Sequence, residues 1–212
     1  MELKGKKIAF LGDSITEGAG ASSGETNFVS LIAKNEGVVA LNYGIGGTRI
    51  ARQTNPTFNK PRHDLDFIMR ADEIDKSVDA VVVFGGTNDF GHGDAVFGNE
   101  DDTTIYSFCG ACNMLFGKLN WWLPNAVKVA ITPLGREDEQ TRNPLHPPLS
   151  EYAAKMKEIA QKYGWHVLDI YSLCKTDPDF IGARANLCDG LHPNDAGYAY
   201  LAKGIAKYLK SL

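Results

Sequence analysis

Five short apolar runs punctuate the chain: KKIAFLG at 6–12, GVVALNYG at 37–44, DAVVVFGG at 79–86, AVKVAITP at 126–133 and WHVLDI at 165–170. Each is mostly apolar or β-branched, with Gly, Pro, Asp or Asn at or near its ends. That pattern predicts strands buried on both faces of a parallel sheet. Between the runs, helical spacing is read at about 27–35, 64–71, 103–122 and 150–163. Leu149, Tyr152, Ala153, Met156 and Ile159 recur at intervals of three and four and share one helix face. The closing NDAGYAYLAKGIAKYLKSL is a last amphipathic helix with Asn194 or Asp195 as its N-cap.

Strands alternating with helices predict an α/β fold, a parallel sheet covered by helices on both faces. In such sheets the working site lies beyond the carboxyl ends of the strands. No repeat, linker or low-complexity tract breaks the sequence, so one domain spanning 1–212 is expected. Two irregular segments, Gly91 to Asp102 and Pro133 to Pro148, follow strand ends and are expected to rim the site. They carry Glu100, Asp101, Asp102, Arg136, Glu137, Asp138 and Arg142, with Phe90, Phe97 and Tyr106 interleaved or adjacent.

Composition narrows the partners. A net charge of −4 with scattered Lys and Arg argues against a nucleic-acid surface, which needs a basic patch, and against a membrane-surface helix. No apolar stretch approaches the roughly 20 residues that span a bilayer. The N-terminal MELKGKKIAFLG enters a Gly-Asp turn with no small-residue cleavage site after it, so it reads as a strand, and a cytoplasmic location is expected. Had a leader been removed ahead of this sequence, the location would be extracellular. Cys109 and Cys112 form a lone C-x-x-C in a helical stretch, and without a second pair or a histidine motif they read as packing residues, not a zinc site. Cys174 and Cys188 complete the four cysteines.

The chemistry collects at the strand ends. Gly12-Asp13-Ser14 follows the first, Asn42 to Thr48 (NYGIGGT) the second, and Gly85 to Asp89 (GGTND) the third; Asp189 to Pro193 (DGLHP) lies between the fifth and the last helix. Acyl-ester hydrolysis needs a nucleophile, a base, an orienter for the base and donors for the oxyanion. Ser14 supplies the first, His192 the second and Asp189 the third. The backbone N–H of Ser14, that of a glycine in NYGIGGT and the amide of Asn88 supply the donors. Ser14 followed by Glu17 also has the pattern of a capping box, so Ser14 is read as both helix cap and nucleophile. Asp13 is expected to brace the turn, and Asp89 to cap a helix or anchor a loop.

These four segments, in this order, resemble the blocks of the SGNH hydrolases, the GDSL-type esterases and lipases, across almost the whole chain. The resemblance implies a three-layer α/β/α flavodoxin-like fold with a five-stranded parallel sheet, a Ser14-His192-Asp189 triad and no metal or organic cofactor. The family spacing makes Gly47 the oxyanion glycine beside Ser14 and Asn88, with Gly46 the alternative. His92, His146 and Arg136 are expected to touch substrate from the rim loops, and His63 and His166 to be surface or packing residues.

Other classes fit less well. A G-x-S-x-G elbow is absent around Ser14. Neither G-x-x-x-x-G-K-[ST] nor G-x-G-x-x-G occurs, which disfavours a nucleotide- or flavin-binding protein of the same topology. The intact triad and donor set disfavour a silent carbohydrate-binding relative. The polar rim points to a short-chain acyl esterase, acting on a small-molecule or carbohydrate ester and removing acetyl groups from sugars, ahead of a lipase or thioesterase on longer chains.

Overall fold

The computed structural model describes residues 1–140 and 146–212. Five parallel strands form its sheet in the order β2-β1-β3-β4-β5: β1 (Lys7–Gly12), β2 (Val39–Gly44), β3 (Ala80–Phe84), β4 (Val127–Ile131) and β5 (His166–Leu168). Alternate side chains of the central strands feed two separate cores, as the period of two requires. Ala9, Leu11, Val81, Val83 and Ala130 face one layer with Phe67, Leu115, Phe116, Tyr152 and Met156. Ile8, Phe10, Val82, Phe84, Val129 and Ile131 face the other with Phe28, Ile32, Tyr198, Leu201 and Ile205.

The helices that supply these layers are α1 (Ser14–Glu17), α2 (Phe28–Glu36), α3 (Phe67–Arg70), α4 (Thr87–His92), α5 (Phe108–Trp122), α6 (Leu149–Lys162), α7 (Ile170–Leu173), α8 (Ile181–Ala185) and α9 (Asp195–Ser211). α2 and α9 cover one face; α3, α5 and α6 cover the other. The predicted face of α6 is buried in full. Asn194 caps α9, its side chain accepting from the Gly197 N–H. Among the described residues, no helix is long and apolar enough to cross a membrane.

Three expectations change. β2 is half-exposed instead of buried on both faces, because it is an edge strand; β3, in the middle, is buried throughout. The helix expected over 103–122 begins only at Phe108, where the Ser107 side chain accepts the Gly110 N–H and caps it. The segment Gly91 to Asp102 borders the site only at its start, where His92 meets Asn88. Farther on, Glu100 pairs with Lys155 and Asp101 with Lys162, in the last turn of α6, so this end of the segment lies along the helix layer instead. The C-x-x-C cysteines lie buried in α5 as free thiols, and burial pushes Cys109 up to about 12 and Cys112 upward as well.

Candidate active site

β1 ends at Gly12, and the chain turns at once into α1. Asp13, not Ser14, is the N-cap: its carboxylate accepts the Ile15 N–H at 3.0 Å, and Ser14 becomes the first residue of the helix. A Cβ at Gly12 would run into the Thr16 side chain, so the tightness of this turn requires glycine. Ser14 is thereby held nearly buried with its hydroxyl toward His192. Its Oγ lies 2.9 Å from Nε2 of His192, whose Nδ1 lies 2.7 Å from Oδ2 of Asp189.

The Asp189 loop is built to hold its acid. Oδ1 accepts the backbone N–H groups of Leu191 at 3.0 Å and His192 at 2.7 Å, leaving Oδ2 for the ring. Partial burial alone would raise the Asp189 pKa, but these N–H bonds and the ring hold it down at about 2. The carboxylate therefore stays ionised and can orient Nδ1–H of the imidazole, freeing Nε2 to accept a proton from Ser14.

The second segment docks onto α1. Asn42 donates from Nδ2 to the Thr16 carbonyl at 2.8 Å and accepts the Gly44 N–H at 2.8 Å. Glu17 does not close a capping box. It accepts the Gly46 N–H at 2.7 Å and pairs with Arg62 at 3.0 Å. That commitment distinguishes the two glycines: Gly46 has spent its N–H, whereas that of Gly47 meets no acceptor among the described residues. Gly47 sits at φ +77°, where a side chain would be strained and would also strike the His63 ring.

Asn88 lies in the first turn of α4, buried, with Nδ2 donating to the Thr48 carbonyl at 2.9 Å and Oδ1 3.0 Å from Nε2 of His92. Asp89 anchors a loop: its two oxygens accept the N–H groups of Ile50 and Ala51 at 3.0 and 2.9 Å. Burial raises its pKa to about 6 against those bonds, and burial with the charge of Asp89 raises Asp13 to about 7.

Two of the predicted rim residues, His92 and His146, are placed differently from expectation. His92 ends helix α4 instead of lying in a loop, and both its ring nitrogens face protein groups, Asn88 and Arg49. His146 is buried, with Nδ1 3.1 Å from the Tyr152 hydroxyl in an aromatic cluster of Phe90, Phe97 and Phe108, and among the described residues no hydrogen bond links it to the Ser14 group. Arg136 reaches Thr87, one residue before Asn88, and lies over the Phe90 ring. Its segment does flank the site, since the Glu137 N–H donates to the Gly190 carbonyl at 2.9 Å. Arg142 lies outside the described residues.

Three residues escape a sequence reading. His63, expected to pack or face solvent, has its ring against Gly47, 5.8 Å between centroids from His92. Arg49 is buried and grips His92 and the 57–64 segment. Arg70 is also buried, with its guanidinium bonding the carbonyls of Gly12, Tyr43 and Leu65 and the Thr48 hydroxyl, so one side chain ties the ends of β1 and β2 together. Burial lowers its pKa to about 10, with the charge of Asp13 acting against that fall. Among the described residues, no group of three or more His, Cys, Asp or Glu could hold a metal ion.

Set against known proteins, the GDSL-like lipase/acylhydrolase family model matches residues 10–200. Curated proteins give no match. Among solved structures, a protein from Lactobacillus plantarum superposes with a TM-score of 0.82 at 27% identity, covering 99% of this chain and 98% of that one. A lipase/acylhydrolase from Enterococcus faecalis gives 0.68 at 22% identity, over 97% and 96% of the two chains. An acetylxylan esterase from Geobacillus stearothermophilus gives 0.64 at 20% identity, over 98% and 95%.

Proposed function

The chain belongs to the GDSL-like lipase/acylhydrolase family of ester hydrolases, and on that premise we propose that it is a serine esterase of short acyl groups, removing acetyl from carbohydrates. The observation that carries this reading is the unbroken chain Asp189–His192–Ser14, at 2.7 and 2.9 Å, at the strand ends.

In this reading Ser14 Oγ attacks the acyl carbon and its proton passes to Nε2 of His192. The oxyanion is met by the N–H groups of Ser14 and Gly47 and by the second hydrogen of Asn88 Nδ2. His192 then protonates the alcohol oxygen as the C–O bond breaks. Water, giving a proton to the same nitrogen, attacks the acyl-enzyme, and Ser14 leaves with that proton restored to its oxygen. Asp189 orients the ring throughout and takes no proton.

Short acyl groups are favoured by what borders the serine. Glu17, Arg62 and His63 stand beside Gly46 and Gly47, where a long acyl chain would need continuous apolar surface. The likeness to an acetylxylan esterase supports the carbohydrate part, and the likeness to a lipase/acylhydrolase marks the competing substrate class. Turnover of p-nitrophenyl acetate is expected to exceed that of p-nitrophenyl palmitate, with acetate released from acetylated xylo-oligosaccharides. A preference for palmitate would rule the short-chain reading out.

A further inference from the structure

Asn88 can serve an oxyanion only if its amide nitrogen, not its oxygen, faces the reacting carbonyl. An amide flipped by 180° about its last bond would present a repelling oxygen instead. The residues that decide between the two orientations are the partners of its amide, Thr48 and His92.

Arg49 comes first. It is buried, and its Nη2 lies 2.7 Å from Nδ1 of His92 and 3.2 Å from the His92 carbonyl. Nη1 reaches the Thr57 hydroxyl, the His63 carbonyl and the Asp64 carboxylate at 3.2 to 3.4 Å, which holds the guanidinium in place. A guanidinium can only donate, so Nδ1 of His92 must be the accepting nitrogen. In a neutral imidazole the proton is then on Nε2, which lies 3.0 Å from Asn88 Oδ1 and donates to it. Asn88 answers with Nδ2 toward the Thr48 carbonyl at 2.9 Å, one hydrogen used and one left. Every donor in the series points the same way, and reversing the Asn88 amide would set oxygen against oxygen at Thr48 and hydrogen against hydrogen at His92.

We propose that His92 is a positioning residue for ester hydrolysis: Arg49 sets its tautomer, and its Nε2–H locks the Asn88 amide with nitrogen toward the oxyanion. This rests on the reading of Asn88 as an oxyanion donor. It also replaces the expectation that His92 binds substrate, because both of its ring nitrogens are engaged. Burial, with Arg49 and His63 nearby, holds the His92 pKa down at about 4, so the ring stays neutral around pH 7.

A double-mutant cycle on p-nitrophenyl acetate tests it, using H92F, N88A and the double variant, with folding checked by circular dichroism. N88A is expected to lower kcat by about 100-fold or more, and H92F by roughly 10-fold with little change in KM. In the N88A background H92F should then change kcat by less than about 3-fold, because its only route to the reaction is gone. H92Q, whose amide can donate to Asn88 and accept from Arg49, should recover most of the loss and stands in if H92F does not fold. Equal factors for H92F in both backgrounds, an unchanged kcat in H92F, or an H92Q as impaired as H92F while folded would overturn the positioning role alone. An N88A enzyme with undiminished kcat would overturn the oxyanion assignment itself, and the positioning role with it.

Discussion

Asp13 accepts the Ile15 N–H and so relieves Ser14 of capping, which leaves the serine hydroxyl free for His192. The arrangement places two carboxyl groups, Asp13 and Asp89, fully inside the protein near the strand ends. Asp89 anchors Ile50 and Ala51, at the end of the segment that carries Gly47 and Thr48. Its folded pKa of about 6 lies above the roughly 3.9 of an exposed aspartate. Between those values the folded state binds more protons than the unfolded state, so the Asp89 contribution to stability declines as pH rises from about 4 to about 6. Comparing wild type with Asp89→Asn in urea isolates this residue from other titrating groups. The stability advantage of wild type should shrink as pH rises across that window; an advantage that grows, or is flat, would contradict the assigned shift.

At the scale of elements, the site depends on how closely α1 rests on the end of β2. A Cβ at Gly44 would run into the backbone nitrogen of Glu17 and the carbonyl carbon of Thr16. Gly44→Ala should therefore push α1 off the sheet, costing about 1–3 kcal/mol in urea unfolding, as overpacking does, and lowering turnover with it. Neutral behaviour in both assays would show that α1 has slack. The strands are legible as apolar runs because parallel strands bury both faces. α4 is not: six residues flanked by Gly86 and Gly93, with Gly91 inside, carry no helical period to read. The segment between Ala51 and Phe67 has no apolar period either. Its Pro56, Pro61, Asn55 and Asn59 mark it only as a built loop, yet it is the one that brings His63 to Gly47.

For the whole molecule, the strand order carries the argument. β1 lies between β2 and β3, so the segments bearing Ser14, Gly47 and Asn88 leave three adjacent strands at one edge, and the loop before α9 brings His192, with Asp189 behind it, to Ser14. Strand–helix alternation puts these segments on one sheet edge, which is why they are readable in the sequence, and the strand order makes them neighbours. Arg49, Arg70 and His63 are not readable in the same way: buried arginines run against expectation, and the partners of all three are set by loop paths that no periodicity records. The central claim is that this convergence makes one hydroxyl reactive, and a fluorophosphonate tests it most directly, since an activated serine displaces fluoride and keeps the phosphonyl group. Intact-mass analysis should show a single adduct that peptide mapping locates at Ser14 and that Ser14→Ala abolishes; no adduct, or one on another residue, would contradict the account.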